Sequence, residues 1–132
     1  MGARKTRPSV IYAIQCVETD KIYVGCTQDF DNRIRTHFKE LEKGEKTRQD
    51  FYKRERVKSD WQNDFDKYGR DSFKVFILER NVKPEKAASL ENYWIRYYDT
   101  KNPKYGYNIY SSVAEKEEIQ IESGIPKKKE YA

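Results

Sequence analysis

Several residue types that build common kinds of functional site are scarce in this sequence. The 132 residues include one histidine and two cysteines, and only 36% are hydrophobic. No second histidine offers metal-site spacing with His37, and Cys16 and Cys26 do not form a Cys-x-x-Cys motif, so we expect neither a zinc cage nor a dithiol centre. We expect reduced, packed thiols, although a disulfide across a predicted hairpin stays open.

Long apolar segments are also absent. No stretch is long enough to span a bilayer, and no signal-peptide core follows the N-terminus. We therefore expect an intracellular protein, in the cytoplasm or the nucleus of a host, without membrane association.

Charge and tyrosine are abundant. Charged residues make up 37% of the chain, the net charge is +5, and eleven residues are tyrosines. A tyrosine packs as an apolar ring and keeps a hydroxyl, which suits hydrogen-bonded sites. The basic balance is compatible with an anionic partner such as nucleic acid, although many basic proteins of this size bind nothing acidic.

The chain length fits one domain between two polar ends. We expect a basic arm over residues 1–8, a folded domain over 9–111, and a charged, disordered tail over 112–132. Strand patterns lie at residues 9–14, 21–27 and 73–78, and helix patterns at 29–43, 61–68 and 84–98. Because strands and helices interleave without long parallel units, the pattern predicts an α+β fold in which helices cover a small antiparallel sheet.

Residues 45–60 are strongly basic and show no clear periodicity. The basic side chains are interleaved with Phe51 and Tyr52, a pattern that suits contacts with a phosphate backbone and with bases. A run of charge is, however, more often a solvated helix face. The candidate DNA-binding residues are Lys46, Arg48, Lys53, Arg54, Arg56 and Lys58.

Glu91 is a carboxylate within an apolar helix face. On a helical wheel it falls among Ala87, Trp94, Ile95 and Tyr98. Burying an unpaired carboxylate is costly, so Glu91 requires a cation, a metal ion or a proton. The alternative is a side chain that reaches past the ring edges to solvent or to a surface arginine.

Arg33 and His37 lie one turn apart on the first predicted helix. An arginine held beside a sheet can make a two-pronged contact with phosphate, whereas on spacing alone an ion pair with Asp29 is the commoner arrangement. By the same reasoning, His37 alone is more often a packing or capping residue than a ligand or a base.

Tyr12 and Tyr23 lie on the first two predicted strands, which pair as a hairpin. Alone, each is more often a half-buried strand residue than a catalyst. A phenol titrates near ~10, so a tyrosine that acts as a base requires a lowered pKa. Lys21 is a neighbour of the kind that lowers it, or else a solvated turn lysine.

The order of these residues resembles the GIY-YIG nuclease family. The resemblance covers residues from about Ser9 to Ser111. It is strongest to the phage-type homing endonuclease branch, where a Leu-Glu-Lys-Gly segment like that of residues 41–44 also follows the arginine helix. The segments that carry it are Val10-Ile11-Tyr12, Tyr23-Val24-Gly25, Arg33 with His37, Glu91-Asn92-Tyr93-Trp94 and Gly106-Tyr107-Asn108.

The resemblance implies a three-stranded antiparallel sheet flanked by helices, and hydrolysis of DNA phosphodiester bonds with one divalent ion, Mg²⁺ or Mn²⁺ in its place. By position, Glu91 is the metal ligand. Tyr12 activates or positions the attacking water, and the tyrosine of the second strand shares its network. Arg33 stabilises the phosphorane charge with assistance from His37, and Asn108 supports the site.

Two features depart from the family pattern. Val10 stands where the family has its first glycine, and residues 45–60 are longer and more basic than is usual. After Ser111 there is no room for a separate DNA-binding domain, so the domain acts alone, or a homodimer or a specificity subunit supplies site choice, or the chain is a fragment. A non-catalytic nucleic-acid-binding module that retains the fold is the alternative function, and RNA stays open as a substrate.

Overall fold

The structure is a computed structural model that describes residues 7–109. Most of the expected N-terminal arm, residues 1–6, and all of the expected tail, residues 112–132, lie outside the described range. The remaining residues contain every candidate site residue named above.

An antiparallel sheet of three strands forms the centre of the fold, with strand order β2-β1-β5. Strand β1 spans Ser9–Cys16, β2 spans Ile22–Thr27 and β5 spans Phe73–Val82. The β1–β2 register sets Tyr12 opposite Gly25. The expected three-stranded sheet is therefore confirmed, and β5 continues four residues beyond the predicted segment.

Three helices begin where the sequence contains helix-starting residues. Helix α1 spans Phe30–Glu42, α2 spans Asp60–Tyr68 and α3 spans Pro84–Tyr98. The side chain of Asp29 accepts from the Asn32 N–H to cap α1, Ser59 caps α2 in the same way, and a proline opens α3. The flanking helices are thus also confirmed.

The helices cover both faces of the sheet. Helices α1 and α2 pack on one face and α3 packs on the other. Alternate residues of β1 point to opposite faces, so each strand supplies both cores. The first core includes Tyr12, Ile14, Phe38, Leu41, Trp61 and Phe73, and the second includes Ile11, Ala13, Val24, Trp94 and Ile95.

The basic segment after α1 folds as a separate two-stranded hairpin. Strand β3 spans Thr47–Asp50 and pairs antiparallel with β4, Glu55–Lys58. The interpretation of this segment as a solvated helix face is therefore wrong. At the base of the hairpin, the N–H and the hydroxyl of Ser59 donate to the Lys46 carbonyl at 2.9 and 2.8 Å.

The cysteines are free thiols. The β1–β2 register places Cys26 opposite Ile11, at the other end of the strand pair from Cys16. A disulfide across this hairpin is thereby excluded by geometry. Across residues 7–109, no helix has the length and apolar character needed to cross a membrane.

Candidate active site

A hydrogen-bonded chain of three side chains runs from β1 through α1 to the base of the β3–β4 hairpin. The hydroxyl of Tyr12 lies 2.6 Å from Nε2 of His37, and Nζ of Lys46 lies 2.8 Å from Nδ1 of the same ring. Lys46 also forms an ion pair with Glu40 at 3.0 Å. His37 is fully buried, so its two ring nitrogens depend on these partners.

The ion pair of Lys46 determines which nitrogen of His37 carries the proton. Burial lowers the pKa of Lys46, and the carboxylate of Glu40 opposes this and favours the ammonium form. An ammonium group only donates, so Nδ1 of His37 must accept and Nε2 must carry the hydrogen. His37 then donates to the oxygen of Tyr12. Burial, with the charges of Lys46 and Arg33, lowers the pKa of His37 to about 3, so the ring is neutral.

Both phenols lie beside the guanidinium of Arg33. The rings of Tyr12 and Tyr23 have centroids 6.2 Å apart. Burial raises the pKa of Tyr12 and of Tyr23 above the usual range, and the positive charge of Arg33 opposes this rise at both. Burial alone would lower the pKa of Arg33, but its contacts with the two phenols raise it. At neutral pH the two phenols therefore stay protonated beside the charged guanidinium of Arg33.

Gly25 makes room for the ring of Tyr12. A Cβ atom at this position would clash with Cζ and the hydroxyl oxygen of Tyr12. The glycine of the second motif is thus required by the close approach of the ring to β2. No comparable requirement exists at Val10, which pairs with Thr27 in an ordinary strand conformation.

Glu91 reaches the same site from α3, on the other side of the sheet. Its charge raises the pKa of Tyr12, Tyr23 and Cys26. Together with Tyr23, Lys46 and Asn108 it lines a cavity of about 220 Å³. Glu91 is half-buried, so its carboxylate faces this cavity and not the apolar core. A larger cavity of about 1100 Å³ lies between α1 and β5 and contains none of the candidate site residues.

The side chain of Asn108 hydrogen-bonds the last described segment to the backbone of β2, at the edge of the sheet. Its Oδ1 accepts from the Val24 N–H at 2.8 Å, and its Nδ2 donates to the Val24 carbonyl at 2.9 Å. Its own N–H donates to the Thr100 carbonyl. Because β2 is an edge strand, this side chain takes the place of a further strand at the position next to Tyr23. The supporting role expected for Asn108 stays a prediction, and this geometry shows which strand it contacts.

Glu91 is the carboxylate of this site to be considered as a metal ligand. In the part of the chain that the structure describes, no three His, Cys, Asp or Glu side chains form a group that could hold a metal. Mg²⁺ keeps several waters and commonly binds through one or two carboxylates together with phosphate oxygens of its substrate. Glu91 is the one carboxylate among the residues that line this cavity, so its chemistry fits that of a protein ligand to such an ion.

Lys21 and the residues of the basic cluster beyond Lys46 belong neither to the hydrogen-bonded chain nor to the cavity that Glu91 lines. Lys21 precedes β2 in the turn, and the cation beside the phenols is Arg33. The pKa of both tyrosines is raised, so the expectation that Lys21 lowers it is wrong. Of the basic cluster, Arg56 donates to Thr47 within the hairpin and Lys58 pairs with Asp66 at 2.7 Å.

Sequence reasoning assigned Lys46 to the DNA-binding cluster and did not assign Trp61 to the site. The Lys46 side chain is only 16% exposed and lies 4.8 Å from the centre of the Trp61 ring. Trp61 stacks on Tyr23 with centroids 4.5 Å apart. The only sequence signal was the position of Lys46 directly after the helix that carries His37, since the contact depends on how the loop folds back.

Fold and site together define a small α+β catalytic domain of the nuclease type. Residues 8–108 match the model of the GIY-YIG catalytic domain. Over 103 residues the chain is 37% identical to intron-associated endonuclease 1 of Enterobacteria phage T4, covering 76% of this chain and 36% of that protein. The chain therefore spans about a third of that relative's length.

Two solved structures are similar over the same region. The catalytic domain of homing endonuclease I-TevI aligns with a TM-score of 0.61 and 33% identity, covering 78% of this chain and 99% of that domain. A mutant of the I-TevI catalytic domain aligns with a TM-score of 0.63 and 32% identity, covering 80% and 97%. This chain belongs to the GIY-YIG family, as the motifs predicted, and the similarity supports the expected endonuclease class for the domain.

Proposed function

We propose that this chain is a metal-dependent DNA endonuclease domain that hydrolyses phosphodiester bonds by water attack. The observation that carries the proposal is that the charges of Arg33 and Glu91 both act on the two phenols, and that Tyr23 and Glu91 line the same cavity. A module that only bound phosphate would gain nothing from a carboxylate there, because like charges repel. A non-catalytic binding module is therefore the weaker alternative.

Glu91 holds the divalent ion, Mg²⁺ with Mn²⁺ as a substitute. When bound, the ion supplies Lewis-acid polarisation of the scissile phosphate. Glu91 comes from α3 and Asn108 holds the neighbouring edge of β2, so the ligand and the phenols keep their separation. In the absence of DNA, a single carboxylate predicts weak metal binding.

Arg33 stabilises negative charge on the phosphate in the transition state. Its guanidinium lies beside the phenols of Tyr12 and Tyr23, whose interactions with it raise its pKa, so the charge is in place before substrate arrives. An arginine also fits two phosphate oxygens at once, which a lysine cannot do. Loss of one such preorganised donor typically lowers the rate by ~10²–10³-fold.

Tyr12 positions the attacking water. Its oxygen accepts from the Nε2–H of His37 and lies beside the charge of Arg33, which leaves its own hydrogen available for a bond with the water or the phosphate. Because His37 already carries its proton at Nε2, it does not accept the proton of Tyr12. Any negative charge that develops on the phenol is met by two donors, so His37 assists by donation.

DNA is the proposed substrate, and a homodimer or a separate subunit is proposed to supply site choice. The proposed domain covers residues 9–111, with an arm over 1–8 and a tail over 112–132. We propose an intracellular location, where DNA is the accessible polyanion. Among the described residues, no side chain is identified as one that recognises particular bases. We therefore expect the domain alone to cleave with low sequence specificity.

The test compares Arg33→Ala with Arg35→Ala, an exposed arginine on the same helix. Supercoiled plasmid and an RNA of matched sequence are each incubated with Mg²⁺ or EDTA. We expect Mg²⁺-dependent plasmid nicking by the native chain and by Arg35→Ala, and a loss of roughly 10²-fold or more for Arg33→Ala. Cleavage of RNA but not DNA would reject the proposed substrate, and equal rates for both variants would reject the role of Arg33.

A further inference from the structure

The turn of the β3–β4 hairpin carries two aromatic rings in solvent. Residues 51–54 connect the strands with the sequence Phe-Tyr-Lys-Arg. Phe51 is 82% exposed and Tyr52 is 100% exposed. Such turns usually contain Gly, Asn, Asp, Pro or Ser, which lower the cost of the backbone conformation. Two bare rings contribute nothing to folding at this place, so the composition of the turn points to a contact outside the chain.

The conformation of the turn is defined without the rings. The carboxylate of Asp50 accepts from the Tyr52 and Lys53 N–H groups at 3.0 and 3.1 Å. Arg54 closes the turn in the left-handed region, with φ of 54°, where a non-glycine residue is disfavoured. The two rings are thus carried on an ordered support, which lowers the entropy lost when they bind.

The base of the hairpin is part of the catalytic cavity. Thr47 lines that cavity together with Glu91, and Lys46, the preceding residue, contacts His37. Phe51 lies four positions beyond Thr47, a span of at most about 14 Å in extended chain. Because successive nucleotides of one DNA strand lie about 3.4 Å apart, the rings are within about five base pairs of a phosphate held at Glu91.

The charge of the hairpin matches nucleic acid. Residues 47–58 carry five basic and two acidic side chains, a net charge of +3. Arg56 and Lys58 have partners within the chain, whereas Lys53 and Arg54 flank the rings at the tip. Basic groups beside exposed rings are the combination that binds a phosphate backbone and stacks on bases.

We propose that Phe51 and Tyr52 stack against bases of the DNA within about five base pairs of the cut, and that Lys53 and Arg54 hold the adjoining backbone. This rests on the proposed function for the location of the cut, but the contact itself does not require cleavage. The hairpin therefore favours DNA in which a base near the cut is unpaired or easily unstacked, because stacking on a ring then costs less duplex energy.

The test uses binding without cleavage, in EDTA and in a Glu91→Gln background. Short duplexes carry 2-aminopurine either paired or as a single unpaired base. Phe51→Ala/Tyr52→Ala should weaken binding to the unpaired duplex by roughly 10-fold or more, abolish the fluorescence change of the 2-aminopurine, and leave the salt dependence unchanged. The matched control, Lys53→Ala/Arg54→Gly, should keep the fluorescence change and reduce the slope of log Kd against log salt by about one to two.

The outcomes separate this inference from the proposed function. Binding and fluorescence that are the same for the ring variant and its parent would overturn the inference, as would a lack of DNA binding by the parent itself. Loss of the fluorescence change in the ring variant alone would support it, even if the native chain failed to cleave any plasmid. Circular dichroism of both variants serves as the control that they keep the fold.

Discussion

At the residue scale, Lys46 acts on Tyr12 only through His37. Its ammonium group donates to Nδ1 of the imidazole and to Glu40, and it does not contact the phenol itself. Its effect is to fix the tautomer in which Nε2 donates to Tyr12. This makes Lys46 a positioning residue, which distinguishes it from the exposed lysines of the same segment.

Replacing Lys46 with methionine keeps the apolar stem and removes the donor. We expect turnover at saturating DNA to fall by roughly 10- to 100-fold, while the affinity for DNA stays nearly unchanged. This loss is smaller than the ~10²–10⁴-fold that acid–base assistance typically contributes to a rate, because Lys46 acts only through His37. Nitrogen NMR of His37 should show loss of the Nε2–H tautomer. Lys53→Met is the control and should weaken binding while leaving saturated turnover intact. If Lys46→Met weakened binding and left saturated turnover intact, the positioning role would be rejected.

His37 makes the stability of the domain depend on pH. The pKa of the folded ring is about 3, below the ordinary value of 6.5, because of burial and the charges of Lys46 and Arg33. As pH falls below 6.5, His37 becomes protonated in the unfolded chain but stays neutral in the folded chain. The free energy of unfolding therefore decreases progressively until about pH 3. The phenols of Tyr12 and Tyr23 also face the ring, and both stay neutral in this range because their pKa values are raised.

The expected loss between pH 7 and pH 5 is about 2 kcal/mol from this group alone. Urea unfolding at both pH values measures it, with His37→Asn as the variant that does not titrate. The difference in pH dependence between the native chain and the variant should be about 2 kcal/mol. Parallel curves would show that His37 is protonated in the folded state at pH 5.

At the element scale, the β1–β2 hairpin orients the two phenols through one cross-strand pair. Tyr12 lies opposite Gly25, and its ring occupies the space that any other residue at position 25 would fill. The first family glycine has no such function here, since Val10 adopts an ordinary strand conformation. The two glycines of the family pattern are therefore not equivalent in this chain.

Gly25→Ala should displace the ring of Tyr12 from His37. We expect a loss of about 1–3 kcal/mol in the free energy of unfolding, as for overpacked cores, together with a loss of cleavage beyond what the remaining folded fraction explains. Val10→Gly is the matched control and should cost no more than about 1 kcal/mol and change cleavage little. Native activity in folded Gly25→Ala would refute the steric explanation.

Local sequence signals predicted the main elements. The strand patterns and the helix patterns correspond to observed elements, and Asp29 and Pro84 mark the starts of α1 and α3. The β3–β4 hairpin was not predicted, because its charged side chains alternate without a buried face and its turn lacks the usual turn residues. Its basic composition resembled a helix surface equally well.

At the scale of the whole molecule, the site is assembled from elements on both faces of the sheet. Tyr12 comes from β1, Arg33 and His37 from α1, Lys46 from the following loop and Glu91 from α3. The motif order identified most of these residues, since each motif is local. It could not identify the contact of Lys46, which depends on how the loop folds back over α1, nor the stacking of Trp61.

The central claim is that Glu91 holds the catalytic ion of a DNA endonuclease. The most direct measurement is single-turnover cleavage of supercoiled plasmid in Mg²⁺ by the native chain and by Glu91→Gln, with DNA binding measured in parallel. We expect nicked or linear DNA from the native chain, no product in EDTA, and a rate at least ~10²-fold lower for Glu91→Gln with undiminished binding. Cleavage that survives the substitution, or DNA binding by the native chain without cleavage in any divalent ion, would contradict the claim.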